Sequence, residues 1–116
     1  MLKSKVFQIE RPWGNFRQFT LNESSTIKII TVKPNEILSL QSHDHRSEFW
    51  HVISGSGMVE IGDIKKETVV GDEHEIAVEE KHRLKAGPDG IQVLEIATGD
   101  FDEEDIIHYE DKYGRV

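Results

Sequence analysis

The sequence predicts an all-β fold, an antiparallel barrel or sandwich formed by residues 1–116 as a single domain. Three observations carry this. The apolar residues repeat with period two rather than 3.6 over most of the chain. Short β-branched runs are separated by turn-forming residues at intervals of roughly 8–12 residues. The length of 116 residues suits one domain and is too short for two.

Ser25-Thr26-Ile27-Lys28-Ile29-Ile30-Thr31-Val32 is β-branched and reads as a strand. Lys33-Pro34-Asn35-Glu36 reads as a turn in which Asn35 can take a left-handed conformation. From Ile37 to His43 the residues alternate, with Leu38 and Leu40 on one face and Ser39, Gln41 and His43 on the other. Glu48 to Ile53 is a further strand, closed by Gly55-Ser56-Gly57. Met58 to Ile61 and Ile64 to Val69 form a hairpin across Gly62-Asp63. Val70-Gly71-Asp72 turns the chain, and Glu75–Val78, Arg83–Lys85 and Ile91–Ala97 complete the set. Gly87-Pro88-Asp89-Gly90 is the last strong turn signal. Asp102–His108 is the one weak helical segment. The acidic run Asp100 to Asp105 reads as a solvated surface turn.

Composition excludes several classes. There is no cysteine, so disulfides and thiolate metal sites are absent, which fits a reducing compartment. No apolar run approaches the roughly 20 residues of a membrane span. Met1-Leu2-Lys3-Ser4-Lys5 has no apolar segment behind it of the kind a secretory leader needs. A cytoplasmic protein without a membrane partner is expected. The net charge of −8 argues against nucleic acid, which demands a basic stripe. It leaves room for a small phosphorylated ligand, since one or two arginines in a cleft suffice.

The chemistry concentrates in Leu40-Gln41-Ser42-His43-Asp44-His45-Arg46-Ser47-Glu48-Phe49-Trp50. Gln41 and His43 lie two apart on a strand and share a face. Glu48 opens the next strand after a tight connection, and His82 follows a turn on a later one. An amide oxygen, two imidazoles and a carboxylate can thus converge on one divalent ion. Zinc is favoured, with manganese, iron, cobalt or nickel also suited to such a mixed N/O set. Trp50 shares parity with Glu48 and Val52 and is expected inside the barrel. His51 has the opposite parity and is expected not to be a ligand. His45 lies in the connection, where its spacing does not fit a ligand. Trp13 is read equally as a lid over the site and as a staple for the N-terminal strand.

These residues resemble the cupin superfamily. Gln41 to Gly55 follows its first motif, H-x-H-x(3,4)-E-x(6)-G, with Gln41 at the first His position and Asn35 where a leading Gly stands. The second motif, G-x(5)-P-x-G-x(2)-H-x(3)-N, is met at Gly71 and His82, while Ala77, Glu79 and Ala86 replace its Pro, Gly and Asn. The resemblance implies a double-stranded β-helix, or jelly-roll barrel.

Within the cupins, Gln41-x-His43-x-x-Arg46-x-Glu48-x-Trp50 resembles the type II mannose-6-phosphate isomerases. These often form the C-terminal part of a bifunctional enzyme that also carries a mannose-1-phosphate guanylyltransferase. Arg11-Pro12-Trp13-Gly14, Val32-Lys33-Pro34, Lys81-His82-Arg83-Leu84, Glu103 to Ile107 and Glu110 to Arg115 match further family motifs. No room is expected here for the guanylyltransferase half. The resemblance implies a metal-dependent aldose–ketose isomerase that converts mannose 6-phosphate to fructose 6-phosphate. Arg11, Arg46 and Arg115 are then expected to bind substrate, and Lys81 and Arg83 to act in catalysis. Lys81, His45 and Glu60 are the candidate bases by residue type. A homodimer is expected, with Val6–Ile9 available as a strand to pair or exchange. The alternatives are a non-catalytic cupin that binds a sugar or sugar nucleotide beside a separate guanylyltransferase, and a metal-dependent oxygenase. Ala77, Glu79 and Ala86 weigh against catalysis, because they shape the turn that delivers His82.

Overall fold

Two long strands carry the molecule, whose computed structural model describes residues 6–115. The leader expectation for Met1–Lys5 lies outside the described residues. β1 (Phe7–Arg11) and β2 (Gly14–Gln18) form a hairpin. β3 (Ser25–Val32) and β4 (Leu40–Ser42) follow. β5 (Arg46–Ile61) is the first long strand, and β6 (Ile64–Val69) and β7 (Glu73–Ile76) pair with it. β8 (His82–Gly99) is the second, and β9 (Ile107–Glu110) closes the sheet against β4. All pairings are antiparallel, and the described residues contain no helix.

The alternation sorts the side chains. On β5, Glu48, Trp50 and Val52 face inward, and Phe49 and His51 face outward. The inner core unites Val32, Trp50, Val52, Val59, Ile76, Leu84, Ala86, Ile91 and Val93. Phe49 and Ile96 form a second cluster on the outer face, covered by Val6, Phe19 and Leu94. The segment after β2 thereby seals apolar surface worth roughly 1.5–3 kcal/mol per large side chain.

Several expectations are corrected. Gly55-Ser56-Gly57 does not end a strand: β5 runs through it, with register shifts between Val52 and Ser54 and between Gly55 and Gly57. These glycines permit close backbone approach. A Cβ on Gly55 would stand 2.0 Å from the Gly90 carbonyl oxygen, so the sheet bends there instead of turning. Gly87-Pro88-Asp89-Gly90 likewise lies inside β8. The ladder passes from Gly57↔Ala86 to Gly55↔Ile91, so the four residues bulge out between two paired halves of one strand. The helix expected near Asp102–His108 is absent. Asp102 to Asp105 is a turn, with the Asp105 amide donating to the Asp102 carbonyl at 3.0 Å, and β9 follows it. In Ile37–His43 the strand shortens to Leu40–Ser42, and a register shift between Leu40 and Gln41 breaks the alternation. Of the Val6–Ile9 segment, Phe7 to Ile9 pair within their own chain, β1 against β2.

Two positions that are glycine in the cupin motifs take left-handed backbone here without glycine: Asn35 at φ 61° and Glu79 at φ 68°. Asparagine tolerates that region and glutamate does so at a cost. The Glu79 amide donates to the His43 carbonyl at 2.8 Å, so this turn ties the two histidine-bearing segments together. Glu79→Gly should therefore stabilise the protein by about 1 kcal/mol, whereas Gly55→Ala should destabilise it by about 3 kcal/mol or more. Urea denaturation of both variants checks this; a destabilised Glu79→Gly would show that the turn is not strained.

Candidate metal centre

Three buried side chains meet on the inner face of the barrel. His43 stands at the end of β4, Glu48 near the start of β5 and His82 at the start of β8. Their exposures are 3%, 3% and 1%. Glu48 Oε2 lies 3.5 Å from His43 Nε2, and Glu48 Oε1 lies 3.4 Å from His82 Nε2. One ligand atom from each falls within 4.8 Å of the other two.

The backbone sets both imidazoles. His43 Nδ1 lies 2.7 Å from the Asp105 carbonyl oxygen, and His82 Nδ1 lies 2.9 Å from that of Glu80. A carbonyl only accepts, so each Nδ1 carries a proton and each Nε2 is the nitrogen turned toward the centre, the one that coordinates an ion once it is unprotonated. Burial is the largest influence on His43 and lowers its pKa, which favours the neutral, coordinating form. Burial alone would raise the Glu48 carboxyl. The hydrogen bond and charge of His82, then His43 and Arg46, outweigh it and hold the group down at about 2. An ionised oxygen and two inward imidazole nitrogens that exchange a proton for a metal fit a divalent cation in a buried pocket.

Gln41 reaches the same place by register, since it is the cross-strand partner of His82. Its amide nitrogen donates to the Ser39 carbonyl and hydroxyl at 3.3 and 3.2 Å, leaving the amide oxygen as the end able to coordinate. Arg46 is buried beneath the centre. It donates through Nε to Glu48 at 3.0 Å and through Nη1 to the Asp102 carbonyl at 3.0 Å, and it stacks on Phe101. Its Nη2 lies 3.3 Å from His43 Nε2. The acidic run expected to be only a solvated turn is exposed but also latches the site. Asp105 accepts from the Asp44 and His45 amides through its side chain and from His43 through its backbone.

The centre opens into a cleft of about 210 Å³, lined in part by Lys28, Gln41, Glu48, Trp50, Glu95 and Arg115. A larger cleft of about 440 Å³, between Asn35, Met58 and Pro88, contains no histidine. Trp50 is inward and buried, its ring 5.7 Å from that of His82. His51 points outward to Glu73 at 2.9 Å. Arg115 lies at the cleft, held by Asp111 at 2.5 Å. Arg46 lines the cleft as well, whereas Arg11, Trp13, His45, Glu60, Lys81 and Arg83 do not. Arg11 is exposed on the hairpin near Phe16, and Trp13 is 72% exposed at its tip. Lys81 is exposed, with Nζ 4.2 Å from the Tyr109 ring. Arg83 lies between Glu60 and Glu110. His45 is exposed, and Glu60 pairs with Lys65.

Sequence reasoning missed Lys28 and Glu95. Glu95 is 3% exposed, accepts from Trp50 Nε1 at 3.1 Å and lies 3.6 Å from Lys28 Nζ. Burial first, and the neighbouring Glu48 second, push its carboxyl up to about 7. The signal was there to be read: on the inward parity of Ile91, Val93, Glu95 and Ala97, Glu95 is the one charged residue.

An antiparallel barrel with a His–Glu–His centre on its inner wall defines a cupin. A solved cupin protein from Bacteroides fragilis shares this fold, with a TM-score of 0.59 at 23% identity over 70% of this chain and 74% of that one. The chain belongs to the mannose-6-phosphate isomerase C-terminal family, whose model matches residues 2–111. It is 37% identical over 111 residues to the xanthan biosynthesis protein XanB of Xanthomonas campestris, covering 94% of this chain and 24% of that protein. It is 36% identical over 114 residues to the mannose-1-phosphate guanylyltransferase ManC of Salmonella typhimurium, covering 94% and 23%. The chain thus spans about a quarter of the length of these relatives. No helix of the described residues is long and apolar enough to cross a membrane.

The geometry sets the expected response to mutation. Glu48→Ala and His82→Ala should lose bound divalent metal by tenfold or more, on the order expected for a lost ligand. His51→Ala should retain it, because that side chain faces Glu73 on the other side of the strand. Elemental analysis of the variants purified under one metal supply is the check; loss from His51→Ala with retention in His82→Ala would refute this assignment.

Proposed function

We propose that this chain is a metal-dependent isomerase interconverting mannose 6-phosphate and fructose 6-phosphate. The observation that carries this reading is the buried Nε2–carboxylate–Nε2 set at the base of a cleft, in a chain whose residues 2–111 match the isomerase family. His43, Glu48, His82 and the Gln41 amide oxygen would hold the ion, zinc first among the borderline metals. A bound divalent ion supplies Lewis acidity toward the carbonyl and hydroxyl oxygens of an open-chain sugar.

The chain's own residues do the rest. Arg46 keeps Glu48 ionised and aimed. Arg115 lies along the cleft, where its cationic side chain would take the phosphate and orient the reacting end through remote binding energy. Arg11, Lys81 and Arg83, assigned roles by resemblance, would need a partner subunit or a change of conformation to reach that cleft.

A second reading is a sugar-binding module that works beside a guanylyltransferase. What favours it is that the relatives are proteins about four times as long, some named for guanylyltransferase activity. A coupled assay of mannose 6-phosphate conversion on chelated and metal-reloaded protein separates the two. Metal-dependent turnover is expected, with Arg115→Ala lowering kcat/KM by roughly tenfold or more through lost phosphate contact. Binding of the sugar phosphate without turnover would decide for the module.

We also propose a homodimer. β1 and β2 pair with each other and expose Phe7, Trp13 and Phe16, and a lone two-stranded hairpin is marginal without a surface to lie on. Light scattering at micromolar concentration should give twice the chain mass; a monomer would count against it.

A further inference from the structure

The cleft contains a second carboxylate that the metal set does not use. Glu95 is the cross-strand partner of Trp50, and its neighbour two residues on, Ala97, is the partner of Glu48. It sits among the apolar inward residues Val93 and Ala97, where a carboxylate is costly to bury. One oxygen, Oε1, accepts from Trp50. The other, Oε2, is buried and accepts no hydrogen bond from the described residues; Lys28 Nζ pairs with it at 3.6 Å, and the Glu48 carboxylate neighbours the Glu95 carboxyl. A glutamine would satisfy Trp50 equally well, so support of the indole does not account for a carboxylate. The spare oxygen points to something that comes and goes. No other base lining the cleft is as free: Glu103 is exposed at the rim and paired with Lys28, and His108 is bonded to Ser39 at 2.8 Å.

We propose that Glu95 is the catalytic residue that carries the proton between C1 and C2 of the bound hexose phosphate, an inference that rests on the isomerase reading. Starting from the aldose, a Glu95 oxygen takes the proton from C2. The C2–H electron pair becomes the C1=C2 bond, and the carbonyl π pair moves onto O1, giving an enediolate. Glu95 then returns the proton to C1. The C1=C2 π pair forms the new C1–H bond as the C2=O2 carbonyl forms, and the O2 hydroxyl proton passes to O1. The net change is one proton from C2 to C1 and one from O2 to O1, with no oxidant or reductant. Lys28 is the positioning residue, set against Oε2 at the cleft wall.

The test uses the full chain, reloaded with one divalent metal, as wild type, Glu95→Gln and Glu95→Asp. Turnover of mannose 6-phosphate is measured together with deuterium wash-in at C1 and C2 in heavy water. Metal content and sugar-phosphate affinity are measured on the same samples. Glu95→Gln should lose about 100-fold or more of both turnover and wash-in, with metal content unchanged and affinity within about threefold of wild type. Glu95→Asp should keep a measurable part of both. Glu95→Gln within tenfold of wild type overturns this inference alone, as does a loss that merely follows lost metal or lost sugar binding. A wild type that neither turns over nor exchanges overturns the isomerase reading and this inference with it.

Discussion

The site is organised around one buried negative charge. Glu48 is almost wholly removed from water, and an isolated carboxylate in such a place would take up a proton. It remains ionised because His82 and His43 approach it from two other segments of the chain and Arg46 from its own strand. The strand pairings that bring those segments together therefore also determine the charge state of the ligand. Removing one partner would leave a carboxylate with too few donors, so a local change here reaches both fold and chemistry.

The backbone completes the arrangement. The Asp105 carbonyl fixes the tautomer of His43, the Glu80 carbonyl fixes that of His82, and the Asp102 carbonyl receives Arg46. Two of these three acceptors come from the acidic turn ahead of β9, far from the ligands in sequence. That turn is exposed to solvent, yet it determines which imidazole nitrogen faces inward. The Glu79 amide bonded to the His43 carbonyl does the same for the spacing of the two histidines. Glu79 keeps the left-handed backbone that glycine would adopt more easily, so the departure from the cupin motif at this position preserves the geometry.

Much of this was legible in the sequence because period two is a local signal. Ser25–Val32 and Ile64–Val69 match their strands residue for residue, and the parity of Glu48, Trp50 and His51 correctly sorted inward from outward. Glycine misled the reading, because the same residue allows a turn and a close strand crossing. Gly55 and Gly57 serve the crossing, and only the partner strand reveals it. The strand at Ile107–Glu110 was hidden because its pairing with β4 lies more than sixty residues away. Lys28 and Glu95 were missed for a related reason. Each lies in a strand whose neighbours explain it as structure, and only the closed barrel brings them to Glu48.

The claim on which all of this depends is that the two Nε2 atoms and the Glu48 carboxylate are aimed at one divalent ion. Diffraction at the absorption edge of the metal, on crystals soaked in zinc or manganese, tests it most directly. One anomalous peak is expected, about 2.0–2.3 Å from His43 Nε2, His82 Nε2 and a Glu48 oxygen, with the Gln41 amide oxygen as the fourth protein ligand. A peak on other residues, or no peak in the cleft at saturating metal, would contradict it.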